Sequence, residues 1–308
     1  MKIRNLKDSK YVGVDPKDYK FIPTGFPKLS DSINDLMSGI VTVITGRPAE
    51  GKSTFVHTIL LNALDKKFNV LLVDGEHPQE ILLSSLFRKV IGNEVGTYEK
   101  VKFNKNDIYK AKPHIQDMLN DWIQELHICS KYENDLSDFD KVFDLFEEYV
   151  LKHKIDFIIC DNLMSLIDST QSEMNAKQSK FMKKCSSLAK VANIPIVIVA
   201  HPNGTALKGK KIDYYQISGT SDISNLAEVV LQIIKDPTAD NGEKLADGMI
   251  AILKNRYGKK NDDIMLAFDI ETHSLCEVDE DTYSTIRYNW RNEGKQEEWI
   301  KVDDSAPF

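Results

Sequence analysis

Long apolar runs are missing from this chain. No stretch approaches the roughly 20 residues that a membrane-spanning helix needs. Met1-Lys2-Ile3-Arg4-Asn5 opens without the apolar core of a signal peptide. Cysteine is scarce, with four among 308 residues: Cys129, Cys160, Cys185 and Cys276, none in a C-x-x-C pair. That argues against a disulfide frame and against a zinc site, and for reduced thiols in a cytoplasmic compartment. Basic excess is also missing. The formal net charge is −7, which argues against a surface coated with nucleic acid. It leaves room for nucleic acid gripped by a few basic loops. No internal repeat is visible.

What is present is an α/β alternation. Hydrophobic residues make up 42% and charged residues 28%, the balance of a soluble globular protein. Five short, continuous apolar runs are predicted as strands: Val41–Thr45, Val70–Asp74, Leu126–Ser130, Phe157–Asp161 and Ile196–Ala200. Continuous runs of this kind suit a parallel sheet buried on both faces. Helical stripes lie between them and are predicted as core faces. One is Ile81, Leu82, Leu86, Val90 and Ile91. A second is Phe139, Val142, Phe143, Phe146, Tyr149 and Val150. A third is Phe181, Cys185, Leu188, Ala189 and Ala192. After Ala200 the pattern changes to Val229–Lys235, Met249–Lys254 and Ile264–Asp269, strands joined by short turns. These are predicted to add antiparallel strands at one edge of the sheet. Three regions follow: an arm or linker over residues 1–23, an α/β domain over 24–275, and an acidic, partly disordered tail over 276–308.

The most specific signal is Gly46-Arg47-Pro48-Ala49-Glu50-Gly51-Lys52-Ser53, which fits the P-loop pattern G-x-x-x-x-G-K-[ST]. A predicted strand precedes it and a long apolar helix, opening with Thr54, follows. Strand, glycine loop and helix are the context the chemistry requires. Loop amides and the positive helix end face phosphate oxygens. Lys52 can reach the β- and γ-phosphates of a nucleotide such as ATP, and Ser53 can hold Mg2+. Glu50 is an acid inside an anion-binding loop, so its side chain is expected to turn outward, to solvent or to a neighbouring subunit.

Hydrolysis needs more than a phosphate cradle. Asp161 ends an apolar strand and can hold the metal through water, or merely cap a turn. Glu76, in Asp74-Gly75-Glu76-His77-Pro78, can polarise an attacking water. Asp74 and His77 compete for that role in the same turn, and a helix-start acid offsetting the macrodipole is the plainer reading of Glu76. His201, at the end of Ile196–Ala200, can sense the γ-phosphate as a neutral imidazole or be structural. Lys254 and Arg256 alternate along a strand end and share a face. They can neutralise charge on a neighbour's ATP or form a solvated edge.

Together these segments resemble the motor domain of DnaB-like replicative helicases, and the twinkle-type and phage primase-helicase branch above all. The resemblance runs from about Thr24 to Asp269. Thr24-Gly25-Phe26-Pro27-Lys28-Leu29 matches the family's lead-in. Glu76 stands at the place of the catalytic glutamate, and Asp161 in Cys160-Asp161-Asn162-Leu163-Met164 at that of the metal-side aspartate. Ala200-His201-Pro202-Asn203 resembles the phosphate sensor. Leu253-Lys254-Asn255-Arg256-Tyr257 resembles the stretch whose arginine acts in trans. Ile217–Ile223, followed by Asn225–Glu228, resembles a DNA-loop segment and its helix.

The resemblance implies a RecA-like P-loop NTPase, with a mostly parallel central sheet flanked by helices and antiparallel strands added at the C-terminal edge. It implies a hexameric ring, ATP and Mg2+ between subunits, and single-stranded DNA in the channel. DNA contacts are expected from a loop around Ser169–Lys177 and from the Asn203–Gly219 loop, with Lys208, Lys210, Lys211 and Gly219. The terminal Asp303-Asp304-Ser305-Ala306-Pro307-Phe308 resembles the acidic-Phe tips that dock on replication partners such as a primase, a polymerase or a single-strand-binding protein. Two other readings of the same scaffold are a DNA-dependent ATPase that loads on DNA without unwinding it, and a small-molecule kinase. The kinase lacks an evident acceptor lid.

Overall fold

The computed structural model describes residues 16–94, 96–103, 106–131, 139–162, 171–202, 207–213, 216–217, 221–238, 246–258, 262–279, 282–284, 286–291 and 299–301. The chain runs β1 (Phe21–Ile22), α1 (Pro27–Ile33), β2 (Leu36–Met37), β3 (Val41–Thr45), α2 (Lys52–Asp65), β4 (Val70–Asp74) and α3 (Gln79–Ile91). It continues with β5 (Tyr98–Phe103), β6 (Asn106–Ala111), α4 (Pro113–Trp122), β7 (Leu126–Ser130), α5 (Phe139–His153), β8 (Phe157–Asp161), α6 (Gln171–Ala192) and β9 (Ile196–Ala200). Then come α7 (Ser221–Leu226), β10 (Val229–Lys235), β11 (Gly248–Asn255), β12 (Ile264–Asp269), β13 (Ser274–Asp279), β14 (Thr282–Ser284) and β15 (Trp299–Lys301).

Eleven strands form one sheet in the order β15-β14-β13-β12-β11-β10-β3-β9-β8-β4-β7. Neighbours from β10 to β7 are parallel, and from β10 to β15 they are antiparallel. The predicted strands are therefore found, and with them the α/β class with its antiparallel C-terminal edge. Burial follows the period of two that separates the faces of a strand. Ile44, Leu72, Ile159, Val197 and Leu231 pack with α1–α4 on one face. Val43, Val73, Ile158, Ile198 and Val230 pack with α5–α7 on the other. Each such side chain, fully buried, contributes about 1.5–3 kcal/mol.

Four expectations change. Leu126–Ser130 is the sheet's edge strand and is only half-buried, because nothing pairs with its outer side among the described residues. Ile81 is 59% and Tyr149 39% exposed, so neither belongs to a core face. Tyr149 instead stacks on His153 at 4.1 Å and hydrogen-bonds His127.

Residue 23 is not where packing starts, since Phe21–Ile22 pairs with Leu36–Met37. Nor does the fold stop at 275. Cys276 is buried within β13, and Tyr288 and Trp290 sit in the core. Acidic residues hid this segment, because Glu277 and Asp279 alternate with the apolar positions. Glu277 has a structural role. Its carboxylate accepts the amides of Lys28 and Leu29 at the start of α1. The terminal Asp303–Phe308 tip lies outside the described residues.

Candidate active site

Parallel pairing places the functional candidates side by side. Thr45 pairs with Ala200, and Asp74 with Asp161. The P-loop after β3, His201 after β9, Asp161 at the end of β8 and Glu76 after β4 thus meet at the C-terminal ends of four adjacent strands. Crevices at such ends are where open α/β sheets bind ligands.

The P-loop is closed on itself. Lys52 Nζ donates to the Arg47 carbonyl at 2.8 Å. Gly46 has no alternative, because a Cβ there would lie 2.5 Å from the Ile233 carbonyl of β10. Glu50 departs from the outward orientation expected of it. It is 7% exposed, and its Oε2 accepts the Arg47 amide at 2.7 Å. The acid braces the loop from inside by accepting that amide. Burial raises the Glu50 carboxyl and lowers the Lys52 ammonium, while their mutual attraction opposes both shifts.

Asp161 is 2% exposed and receives the Ser53 hydroxyl. Burial, then the nearby Asp74 and Glu76, push its carboxyl up to about 6 against the pull of Ser53 and Lys52. Its Oδ2 is buried without a hydrogen-bond partner among the described residues. A hydroxyl beside an unsatisfied carboxylate oxygen is a donor set that suits a hard divalent cation such as Mg2+. Thr54 follows on α2, half-buried, and its carbonyl accepts the Thr58 hydroxyl.

The turn that carries Glu76 is built by Asp74. That fully buried carboxylate accepts the amides of Glu76 at 2.9 Å and His77 at 2.6 Å, and its other oxygen lies 3.3 Å from His77 Nδ1. Asp74 and His77 are therefore committed to the turn, and Glu76 is the exposed acid beside the P-loop. Asn162, which the sequence pattern does not single out, joins the site. Its Nδ2 donates to Glu76 Oε1 and lies 3.2 Å from His201 Nε2. A lone asparagine carries no pattern, so only its place directly after Asp161 could have signalled it. Burial, and then Lys52, hold the His201 imidazole below the usual histidine range, against the opposite pull of Glu76 and the Gly46 backbone.

Lys254 and Arg256 lie elsewhere. Asn255 pairs with Val229, which pairs with Thr42 near the start of β3. The basic pair is thus at the opposite end of the sheet from its own P-loop. Lys254 Nζ donates to the carbonyls of Ser224 at 2.7 Å and Asn225 at 3.3 Å, and Arg256 Nη2 to Asn225 at 3.4 Å. These are end carbonyls of α7, which have no partner within the helix.

Of the described parts of the expected DNA loop, residues 207–213 are tied down. Gln232, buried on β10, accepts the Ile212 amide at 2.9 Å and donates to the Lys210 carbonyl at 3.1 Å. Lys210 Nζ donates to the Thr238 carbonyl at 3.0 Å, and Lys211 pairs with Asp263 at 2.6 Å. Lys208 is exposed, in electrostatic reach of Glu50. Gly209 holds φ at +70°, which a side chain rarely adopts. Lys177 lies within α6. Gly219 and the loop ahead of α6 lie outside the described residues.

Fold and site define a RecA-like P-loop ATPase domain. The profile of the DnaB-like helicase C terminal domain matches residues 21–276, and the chain belongs to that family. It is accordingly a nucleotide-binding, ATP-hydrolysing enzyme of the helicase class. A solved structure described as an ATPase domain superposes with a TM-score of 0.68 at 15% identity, over 84% of this chain and 91% of that one. Another, "The Structure Of A DnaB-Like Replicative Helicase And Its Interactions With Primase", gives 0.63 at 15% identity, over 82% of this chain. This chain spans 61% of the length of that second structure. No curated protein matches. Among the described residues no helix is long and apolar enough to cross a membrane.

Proposed function

We propose that this chain is an ATP-driven translocase on single-stranded DNA that works as a replicative helicase in a ring, in the cytoplasm of a cell or of a phage-infected host. One observation carries this reading. The P-loop, Asp161, Glu76 and His201 lie together at one end of the sheet, while Lys254 and Arg256, the pair read as completing the site, sit at the far end. Such a site is completed by a neighbouring subunit, as in a hexamer with nucleotide between protomers.

The proposed steps follow from the geometry. Lys52 leaves the Arg47 carbonyl and pairs with β- and γ-phosphate oxygens, and the loop amides from Gly46 to Ser53 take the remaining charge. Ser53 and Asp161 would hold Mg2+, which supplies charge neutralisation on the phosphates when bound. Glu76 orients the attacking water. Arg256 of the next subunit stabilises the transferring phosphoryl group. Arg256 is the better placed of the pair, because it gives up one long contact where Lys254 gives up two. His201 reports phosphate loss to the segment that follows it. Lys208, Lys210, Lys211 and Gly219 would track DNA phosphates. Lys210 and Lys211 must first exchange Thr238 and Asp263 for them. The chain's end would dock a partner such as a primase.

Strand displacement on forked DNA, measured beside DNA-stimulated ATP hydrolysis, tests this. Displacement that requires ATP and is lost in Lys52→Ala is expected. DNA-stimulated hydrolysis with no displacement would instead mark an ATPase that loads on DNA without unwinding it. Phosphate transfer to a metabolite without DNA stimulation would mark a kinase.

A further inference from the structure

Three adjacent strands each place one polar residue in a row: Glu76 after β4, Asn162 after β8 and His201 after β9. Chemistry fixes the direction of every bond in that row. A carboxylate can only accept, so the Asn162 amide must turn its N–H toward Glu76 Oε1. The same nitrogen lies 3.2 Å from His201 Nε2. Nε2 is therefore an acceptor, and the ring proton sits on Nδ1. Nδ1 is buried and has no hydrogen-bond partner among the described residues. The Gly46 backbone is close enough to act on the ring, yet it does not satisfy Nδ1. His201 thus has one nitrogen committed to Asn162 and one N–H still to be satisfied, close to Lys52 and the P-loop.

We propose that Asn162 is a positioning residue through which phosphate occupancy, sensed at His201, sets the orientation of Glu76. The proposal rests on the reading of Glu76 as the carboxylate that orients water. In the structure the Asn162 amide donates to Glu76 Oε1 and holds that carboxylate. When a phosphate oxygen accepts a hydrogen bond from His201 Nδ1–H, Nε2 becomes the stronger acceptor, since linked hydrogen bonds polarise one another. The amide is then drawn toward His201, and Glu76 turns to accept the hydrogen bond of a water. Hydrolysis is thereby confined to a filled site. Asn162 is buried, so the row can transmit a small displacement at His201 instead of absorbing it.

A double-mutant cycle on the full chain tests this. ATP turnover and KM, with and without single-stranded DNA, are measured for wild type, Asn162→Ala, His201→Ala and the double variant. Glu76→Gln and Asn162→Asp are added, and nucleotide affinity is followed with a fluorescent ATP analogue. Asn162→Ala should lower kcat by about ten- to a hundredfold, the usual cost of a misplaced catalytic group. KM should stay within about twofold, because Asn162 does not bind the nucleotide.

The double variant should fall no further than His201→Ala alone, since the two residues act in series. Asn162→Asp should be slower than Asn162→Ala, although it is the closer isostere, because it turns an acceptor toward Glu76. A purely structural role would give the reverse order. Should the alanine variant not fold, Asn162→Ser replaces it in the cycle. Multiplying effects of Asn162→Ala and His201→Ala, or an Asn162→Asp faster than Asn162→Ala, would overturn the proposal while an inactive Glu76→Gln keeps the water-orienting reading. A fully active Glu76→Gln would remove that reading itself.

Discussion

The two ends of the parallel sheet are built on different physics. At the C-terminal end, charged groups are buried and held by the P-loop's own backbone and a hydroxyl: Lys52 on the Arg47 carbonyl, Glu50 on the Arg47 amide, Asp161 on Ser53. Desolvation dominates there, and it shifts Glu50, Lys52, Asp161 and His201 away from their ordinary ranges. At the other end, Arg256 is exposed and bonded weakly to a short helix. A buried polar cluster is pre-organised and needs little reorganisation to act. An exposed arginine on one long contact is free of that constraint and can reach across a gap. The difference teaches that the P-loop cluster and the Lys254–Arg256 pair are separated by the length of β3 within a subunit, so that on the proposed reading a ring would reunite them between subunits.

The comparison breaks most sharply at Arg256. Arg256→Ala should slow hydrolysis by about a thousandfold or more, with nucleotide affinity unchanged in a fluorescence titration. Equal loss of affinity would mean that the two ends are not functionally separate. Lys52→Ala acts at the other end. It should cost about a hundred- to a thousandfold in kcat and also weaken ATP binding, which the same titration reads.

A third change sharpens how the phosphate end is supported. A Cβ at Gly51 would lie 3.5 Å from Leu275 Cδ1 of β13, so the C-terminal segment backs the P-loop. Trp290→Ala, in that segment, should destabilise the fold by about 3 kcal/mol. Urea denaturation checks this, and an unchanged midpoint would show that the segment is an appendage.

Per unit of the variable changed, the smallest effect concerns acid. His57, buried on α2 behind the P-loop, is held down to about 3 by burial, then by Lys89 and His77. Its folded value lies below the unfolded value of 6.5, so the unfolded chain binds the extra proton. Stability should fall as pH drops from 6.5 toward 3, with a slope of at most about 1.4 kcal/mol per pH unit from this group. His57→Gln should flatten that slope in denaturation series at stepped pH. Arg256→Ala should leave it unchanged.

The sheet was legible because its strands are continuous β-branched runs closed by polar residues. Val41–Thr45 ends at Gly46 and Phe157–Ile159 runs into Cys160-Asp161. Their short length and β-branched content favour strands over buried helix segments. Beyond Asp269 the pattern blurs. Glu277 and Asp279 are charged for local reasons, to cap α1 and bond Lys28, and such reasons leave no period. The site was legible where a residue type is tied to a strand end, as for Asp161, Glu76 and His201. Asn162 was not, because its role exists only once β4, β8 and β9 lie side by side. Glu50 was misjudged because its partner is a backbone amide three residues back, which no side-chain pattern encodes. The lysines of the 207–213 segment read as a free basic loop, because Gln232, which clips them, is itself just one residue of an apolar strand.

The central claim is that an active site is assembled from two subunits, and mixing two inactive variants tests it most directly. Lys52→Ala subunits keep Arg256, and Arg256→Ala subunits keep the P-loop. ATP hydrolysis is measured as the two are combined across all ratios and allowed to exchange. The account predicts that activity, absent from either alone, rises to a maximum at intermediate ratios, because an Arg256→Ala subunit is completed by its Lys52→Ala neighbour. Mixtures no more active than the separate variants, in subunits shown to co-assemble, would contradict it.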